Sequence, residues 1–180
     1  MNGNKILIVI DMQNEFVTDA LANAEAQAIT EKLAEKVKGY ITQGIPVFFT
    51  RDTHGENYME TQEGHLLPVP HCLKGTEGWQ IIDCLAEFSN EHNTLDKPTF
   101  GATALPAWLE EKLGDDFGRL DEIEFCGVCT DICVISNAML LKAAYPEMKI
   151  TVDSSLCAGV TPESHNTALD AMKACQIYII

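Results

Sequence analysis

Apolar segments of strand length alternate with stretches of helical periodicity along almost the whole chain, and this alternation limits the fold more than any other feature. The first segment, Lys5–Ile10, is a continuous aliphatic run, typical of a strand buried on both faces. Residues 24–40 are rich in Ala, Glu, Lys and Leu, with apolar residues at helical spacing. Strands that alternate with helices form right-handed βαβ units, so we expect a parallel sheet covered by helices.

The remaining elements are predicted in the same way. The predicted strands cover residues 46–50, 93–96, 122–126, 149–153 and 176–180, and the predicted helices cover residues 79–88, 104–113, 131–144 and 162–174. Residues 51–78 form a long polar stretch without a clear period, and such loops in compact domains usually carry function. A chain of 180 residues suits one domain, over residues 1–180.

Charge and cysteine content argue against several classes of protein. The chain has 27 acidic and 12 basic residues, a net charge of −15 that repels phosphate backbones and anionic lipids, so we predict no nucleic-acid or membrane partner. The N-terminal apolar run, residues 6–10, is too short for a signal peptide core or a membrane span. Seven cysteines, an odd number, indicate reduced thiols in the cytoplasm.

Three reactive side chains follow predicted strands. Asp11 ends the first strand, Lys97 follows the third, and Cys133 lies beyond the fourth, in the first turn of a helix that Thr130 is placed to cap. The carboxyl ends of parallel strands share one edge of the sheet, so we expect these side chains to converge. The helix start and Lys97 would favour a thiolate, and Asp11 would accept its proton. The alternative is that Cys133 is an inert core residue.

The loop after the second strand contains metal-ligating residue types. Asp52, His54 and His71 offer a carboxylate and two imidazoles, which suit Zn²⁺, Fe²⁺ or Mn²⁺ with open positions for water or substrate. Further ligands or bystanders in the same loop are Glu60, Glu63 and His65.

A second cluster, Cys126, Cys129 and Cys133, has the spacing C-x₂-C-x₃-C and also suggests a metal. Cys126 lies in a predicted strand and Cys133 in a predicted helix. This placement argues against a metal site, because iron–sulfur proteins usually supply four thiolates from irregular loops.

Five motifs in series resemble the isochorismatase-like cysteine hydrolases, and within them the nicotinamidases. The motifs are DMQNEF at 11–16, DTH at 52–54, HCLKGTEG at 71–78, KPTF at 97–100 and GVCTDICV at 127–134. The resemblance covers nearly the whole chain and implies a three-layer αβα sandwich around a six-stranded parallel sheet.

The resemblance also implies residue roles. The catalytic triad would be Asp11, Lys97 and Cys133. A cis peptide bond between Val128 and Cys129 would turn the Cys129 N–H toward the substrate, and with the Cys133 N–H it would form the oxyanion hole.

Nicotinamidases hold one divalent metal ion, which binds the pyridine nitrogen of the substrate. By resemblance its ligands would be Asp52, His54 and His71, with Glu63 preferred over Glu60 as the fourth, and the metal would be zinc, with iron or manganese as alternatives.

Phe16 is the ring-stacking candidate, with Phe100 as a second. The sequence departs from the nicotinamidase pattern at two positions, and both bear on which substrate is bound. The stretch before His71 lacks the aromatic residue that many nicotinamidases have there, and Ile132 stands where a tyrosine often precedes the nucleophile.

The sequence therefore predicts a cytoplasmic, homo-oligomeric nicotinamidase of NAD salvage, which converts nicotinamide to nicotinic acid and ammonia through a Cys133 thioester. One alternative is a related amidohydrolase or isochorismatase-like enzyme acting on another amide or a vinyl ether, which the metal ligands argue against. The other is a non-catalytic domain, which the intact triad argues against.

Overall fold

The computed structural model describes residues 4–180, so residues 1–3 of the predicted domain lie outside the described residues. Six strands form one parallel sheet in the order β3-β2-β1-β4-β5-β6. The strands are β1 (Lys5–Ile10), β2 (Val47–Asp52), β3 (Thr94–Lys97), β4 (Glu122–Val128), β5 (Lys149–Ala158) and β6 (Tyr178–Ile179). The predicted fold class is therefore confirmed.

Helices cover both faces of the sheet. They are α1 (Asn14–Val17), α2 (Ala24–Thr42), α3 (Gln62–Leu66), α4 (Asp83–Ala86), α5 (Leu105–Leu113), α6 (Ile135–Ala144) and α7 (Pro162–Ala174). Helix α2 packs against α4, whereas α6 packs against both α5 and α7. The strand order reverses between β1 and β4, so right-handed crossovers place these two groups on opposite faces.

The core forms where the sequence pattern places it. Residues 6–10 of β1 are fully buried, because helices cover the central strand on both sides. On α2, the apolar residues Ile29, Leu33 and Val37 face the sheet. The helix begins after Asn23, whose side chain accepts a hydrogen bond from the Ala26 N–H at 2.7 Å.

One carboxylate is buried in this core and is neutralised by side chains around it. Glu124 on β4 forms an ion pair with Lys36 of α2 and a second with Lys5 at 3.2 Å. The Tyr40 hydroxyl donates to Glu124 at 2.7 Å, and Lys36 also reaches Asp153 at 2.6 Å. A buried charge is tolerated only with such partners.

Two predicted helices differ in the structure. The predicted helix 79–88 is reduced to the single turn of α4. The predicted helix 131–144 begins with a π-type turn, Thr130–Val134, before α6 starts. The prediction that Thr130 caps this helix is wrong, since its hydroxyl pairs with His165 Nδ1 at 2.8 Å.

The buried face of α6 also differs from the expected one. The pattern favours Ile132, Ile135, Met139 and Leu140 as core residues, but these are half-buried. The buried residues are Val134, Asn137, Ala138 and Leu141. The π-type turn rotates the helix relative to a regular helix starting at 131, which accounts for the offset.

Two further observations complete the fold. All seven cysteines lie in the described part of the chain and are free thiols. Within residues 4–180, no helix has both the length and the apolar character needed to cross a membrane.

Candidate active site and metal centre

The structure brings Asp11, Lys97 and Cys133 into contact at the carboxyl edge of the sheet. Asp11 follows β1, Lys97 ends β3, and Cys133 lies in the turn after β4. Lys97 Nζ is 2.7 Å from Asp11 Oδ2 and 3.3 Å from Cys133 Sγ. All three side chains are buried, so the ammonium group lies between carboxylate and thiol with little access to water.

The Asp11 carboxylate is held by a residue that the sequence analysis did not identify. Thr50 on β2 donates its hydroxyl to Asp11 Oδ1 at 2.6 Å and accepts the Asp11 N–H at 3.3 Å. Asp11 has a φ of 48°, a left-handed conformation that aspartate tolerates better than most residues. In the sequence, Thr50 is indistinguishable from an ordinary β-branched strand residue.

Burial governs the charge states of this group. Burial raises the pKa of the Cys133 thiol well above its usual value, Asp11 raises it further, and Lys97 opposes both. The expectation of a thiolate favoured by a lowered pKa is therefore wrong in direction. Burial also raises the pKa of Asp11, although Lys97 counteracts it, so Asp11 is a stronger base than an exposed aspartate.

Lys97 keeps its charge. Burial alone would lower its pKa, but Asp11, Cys133 and Asp52 together raise it. The structure thus combines a protonated thiol, a basic carboxylate and a permanent cation, an arrangement in which the thiol proton can pass to Asp11.

The turn that carries Cys133 contains the cis peptide bond that the resemblance implies, between Val128 and Cys129. The N–H groups of Ile132 and Val134 donate to the Cys129 carbonyl at 3.1 and 3.0 Å. These bonds fix the backbone around Cys133.

A cluster of metal-ligating side chains lies beside the triad. Asp52, His54, Glu63 and His71 each offer one ligand atom, and these atoms lie within 4.8 Å of one another. His54 Nε2 and His71 Nε2 are 3.0 and 3.5 Å from Asp52 Oδ2. Glu60 is exposed and is not part of this cluster.

The two clusters are linked through Asp52. Its Oδ1 is 3.4 Å from Lys97 Nζ, whereas its Oδ2 faces the imidazoles. Burial alone would raise the pKa of Asp52, but hydrogen bonds with His54 and His71 lower it overall, helped by Lys97. Asp52 is therefore ionised, as a metal ligand must be.

Neighbouring groups orient these ligands. Gln13 accepts the Asp52 N–H at 2.7 Å and donates to the Asp52 carbonyl at 2.9 Å. His71 Nδ1 pairs with the Val69 carbonyl at 2.9 Å, which directs Nε2 into the cluster. The Tyr58 ring packs against both imidazoles. The sequence analysis missed Gln13, although it lies in the first motif.

The donor set fits a divalent metal. Two imidazole nitrogens and two carboxylate oxygens are ligands of Zn²⁺, Fe²⁺ and Mn²⁺, and a buried Asp52 beside a half-buried Glu63 favours a cation between them.

One cavity of about 560 Å³ connects the metal ligands with the thiol. Asp52, Glu63 and His71 line one part, and Cys129 and Cys133 line another. Both aromatic candidates, Phe16 and Phe100, also line the cavity. The half-buried ring of Phe16 lies beside the imidazole of His71, with 6.0 Å between the ring centroids, whereas Phe100 is exposed. A ring-sized molecule in this cavity would meet the metal ligands and the thiol together.

Fold and site together define a class, the α/β proteins in which the carboxyl edge of a parallel sheet carries a buried aspartate, lysine and cysteine beside a candidate metal centre. Residues 5–180 match the family model of the isochorismatase domain. The chain thus belongs to the isochorismatase family, as its motifs predict.

Known proteins of similar sequence and structure agree with this assignment. The chain is 32% identical over 174 residues to PncA of Bacillus subtilis (strain 168), described as an uncharacterized isochorismatase family protein; the match covers 92% of each. A pyrazinamidase/nicotinamidase structure from Streptococcus mutans UA159 has a TM-score of 0.80 and 30% identity, covering 98% of this chain and 99% of that one.

The pyrazinamidase structure of Pyrococcus horikoshii, a complex with zinc, has a TM-score of 0.77 and 24% identity, and the match covers 98% of each chain. At 24% identity, this similarity supports a shared fold and nothing further. The family and the Streptococcus mutans neighbour support an amidohydrolase.

Proposed function

We propose that the protein is a nicotinamidase, which hydrolyses nicotinamide to nicotinic acid and ammonia. The observation that carries this proposal is the single cavity lined by both Cys133 and the ligand cluster Asp52, Glu63 and His71. A pyridine carboxamide has two functional ends, a ring nitrogen and an amide, and these match the two ends of the cavity. The pyrazinamidase/nicotinamidase neighbour supports a small amide as substrate.

Asp11 and Cys133 perform the chemistry in this proposal. Asp11 accepts the thiol proton, and Cys133 Sγ attacks the amide carbon. The N–H groups of Cys129 and Cys133 stabilise the oxyanion. Asp11 then donates the proton to the amide nitrogen, the C–N bond breaks, ammonia leaves, and a thioester remains on Cys133. Water hydrolyses the thioester with Asp11 as base, which releases nicotinic acid and restores the thiol.

Lys97 stabilises the negative charge on whichever partner carries it. Its ammonium group contacts both Asp11 and Cys133, so moving the proton from thiol to carboxylate leaves one anion beside the same cation. The proton transfer therefore avoids forming an uncompensated charge in a buried site.

Asp52, His54, His71 and Glu63 would hold one divalent ion, and we propose zinc, which the pyrazinamidase of Pyrococcus horikoshii contains. Iron and manganese suit the same ligands. When bound, the ion would supply a Lewis acid for the ring nitrogen, and Phe16 would pack against the ring. This positioning lets the amide lie against Cys133.

A related enzyme acting on an acidic substrate is less well supported. The charged residues that line the cavity in the described part of the chain are Asp52 and Glu63, both acidic. An anionic substrate would therefore meet repulsion there unless the metal compensated it.

We also propose that residues 1–180 form one domain, and that the enzyme acts as a cytoplasmic homo-oligomer in NAD salvage. The single domain rests on the chain length and the cytoplasm on the odd number of cysteines, whereas the role in NAD salvage rests on the family resemblance.

The decisive experiment measures ammonia release from nicotinamide by the purified protein, with metal content determined on the same sample. We expect turnover together with about one divalent ion per chain. Turnover at the same rate in metal-free protein would contradict the role of the ligand cluster, and no turnover of nicotinamide by metal-loaded protein would contradict the proposed substrate.

A further inference from the structure

The mouth of the cavity is formed by apolar side chains that remain open to solvent. Eight large apolar residues are exposed in the described part of the chain, and four of these line this one cavity. The four, called here the apolar mouth, are Leu66, Leu67, Phe100 and Val160, exposed by 78%, 39%, 45% and 51%. Exposed apolar residues that cluster, unlike single ones, mark binding sites.

Few of the side chains that line the cavity are charged. Among the described residues, its charged lining residues, Asp52 and Glu63, belong to the ligand cluster. The other polar side chains that line it are those of His71, Asn23 and Gln62, together with the thiols of Cys129 and Cys133. A ligand group at the apolar mouth would therefore gain by being apolar rather than charged.

The volume of the cavity also indicates room for a ligand group at the apolar mouth. Its volume of about 560 Å³ lies within the range of roughly 300–1,000 Å³ that encloses drug-sized ligands. One ring with a carboxamide is smaller than such a ligand. Space therefore remains beyond a ring held between the ligand cluster and Cys133.

We propose that the apolar mouth is a subsite for an apolar substituent on the substrate ring, so that alkyl-substituted pyridine carboxamides are better substrates than nicotinamide itself. This inference rests on the proposed nicotinamidase function. The occupant is a part of the substrate because Leu66, Phe100 and Val160 line the same cavity as Cys133 and His71.

The test compares kcat/KM of the metal-loaded enzyme for nicotinamide with kcat/KM for analogues carrying methyl, propyl or pentyl groups at different ring carbons. A fully buried methylene would give roughly fourfold tighter binding, and the half-exposed mouth reduces this to about twofold. We expect kcat/KM to rise by about twofold per methylene at one ring position, because the metal and thiol ends fix the orientation of the ring.

Variants locate the effect. Leu66→Ser and Val160→Ser should each lower the ratio of kcat/KM for the pentyl analogue to that for nicotinamide by about threefold or more. Ile41→Ser is the matched control, because Ile41 is an exposed apolar residue at 43% that does not line the cavity, and its ratio should equal that of the parent.

Three outcomes overturn the reasoning at distinguishable points. The subsite is refuted if the ratio of kcat/KM values does not change in Leu66→Ser and Val160→Ser. It is also refuted if alkyl groups lower kcat/KM at every ring position while nicotinamide is hydrolysed. Both outcomes leave the nicotinamidase function intact. Failure to hydrolyse any pyridine carboxamide would refute the proposed function itself.

Discussion

Replacing Thr50 by valine tests whether Asp11 is the proton acceptor, since valine keeps the shape of threonine and has a methyl group in place of the hydroxyl. That hydroxyl donates to Asp11 Oδ1 at 2.6 Å in a fully buried environment. A hydrogen bond to a charged group contributes about 1.5–3 kcal/mol. The bond favours the carboxylate over the neutral acid, so its loss raises the pKa of Asp11 further.

The direction of the effect on activity follows from the role of Asp11. The enzyme needs the carboxylate form, so activity falls as the pH drops through the pKa of Asp11, and a higher pKa moves this loss to higher pH. Because one pH unit corresponds to about 1.36 kcal/mol, the acid limb of the kcat/KM profile should move up by about one to two pH units in Thr50→Val.

The assay is ammonia release from nicotinamide across the pH range, with metal content measured on each sample so that loss of metal at low pH is recognised. Thr50→Ser is the control, because it retains the hydroxyl and should retain the parent profile. An unchanged acid limb in a folded, metal-loaded Thr50→Val enzyme would refute Asp11 as the titrating base.

Three further predictions address the nucleophile, the metal and the buried ion pair. Cys133→Ala should abolish ammonia release while the circular dichroism spectrum stays unchanged; activity within about tenfold of the parent, about 1.4 kcal/mol of barrier, would exclude Cys133 as nucleophile. His54→Ala or chelation should cripple hydrolysis of nicotinamide, and should affect benzamide, which lacks the ring nitrogen, much less; equal losses on both amides would contradict anchoring of the ring. Lys36→Met should lower the free energy of unfolding at pH 7 by about 2 kcal/mol in urea denaturation, less than for a fully buried pair because Lys36 is partly exposed. This loss should shrink as the pH falls below about 4, since the pKa values of Glu124 and Asp153 are lowered in the folded protein, and a loss independent of pH would contradict the ion-pair origin.

The convergence of the triad could be predicted because it follows from strand direction alone. Asp11 and Lys97 follow strands of one parallel sheet, and the carboxyl ends of those strands necessarily share an edge. The selection of Glu63 over Glu60 depended instead on the family resemblance, because two glutamates three residues apart in an irregular loop differ in nothing that periodicity reveals.

Features that depend on how deeply a side chain is buried, or on local backbone geometry, could not be predicted from the sequence. The thiol pKa was expected to fall because a helix start and a cation are visible in the sequence, whereas the degree of burial that outweighs them is not. The π-type turn at Thr130–Val134 has no compositional signature, so the buried face of α6 was assigned incorrectly. Thr50 and Gln13 act through hydrogen bonds to residues that are 39 positions away in the sequence, which a linear pattern does not encode.

The strand order also determines when the parts of the site become available during synthesis from the N-terminus. Strand β1 lies between β2 and β4, so β1, β2 and β3 can pair before β4 has been made. The four candidate metal ligands all precede residue 72, whereas Cys126, Cys129 and Cys133 are translated later. The candidate metal ligands and strands β1, β2 and β3 are therefore complete on the nascent chain before the candidate nucleophile Cys133 emerges from the ribosome.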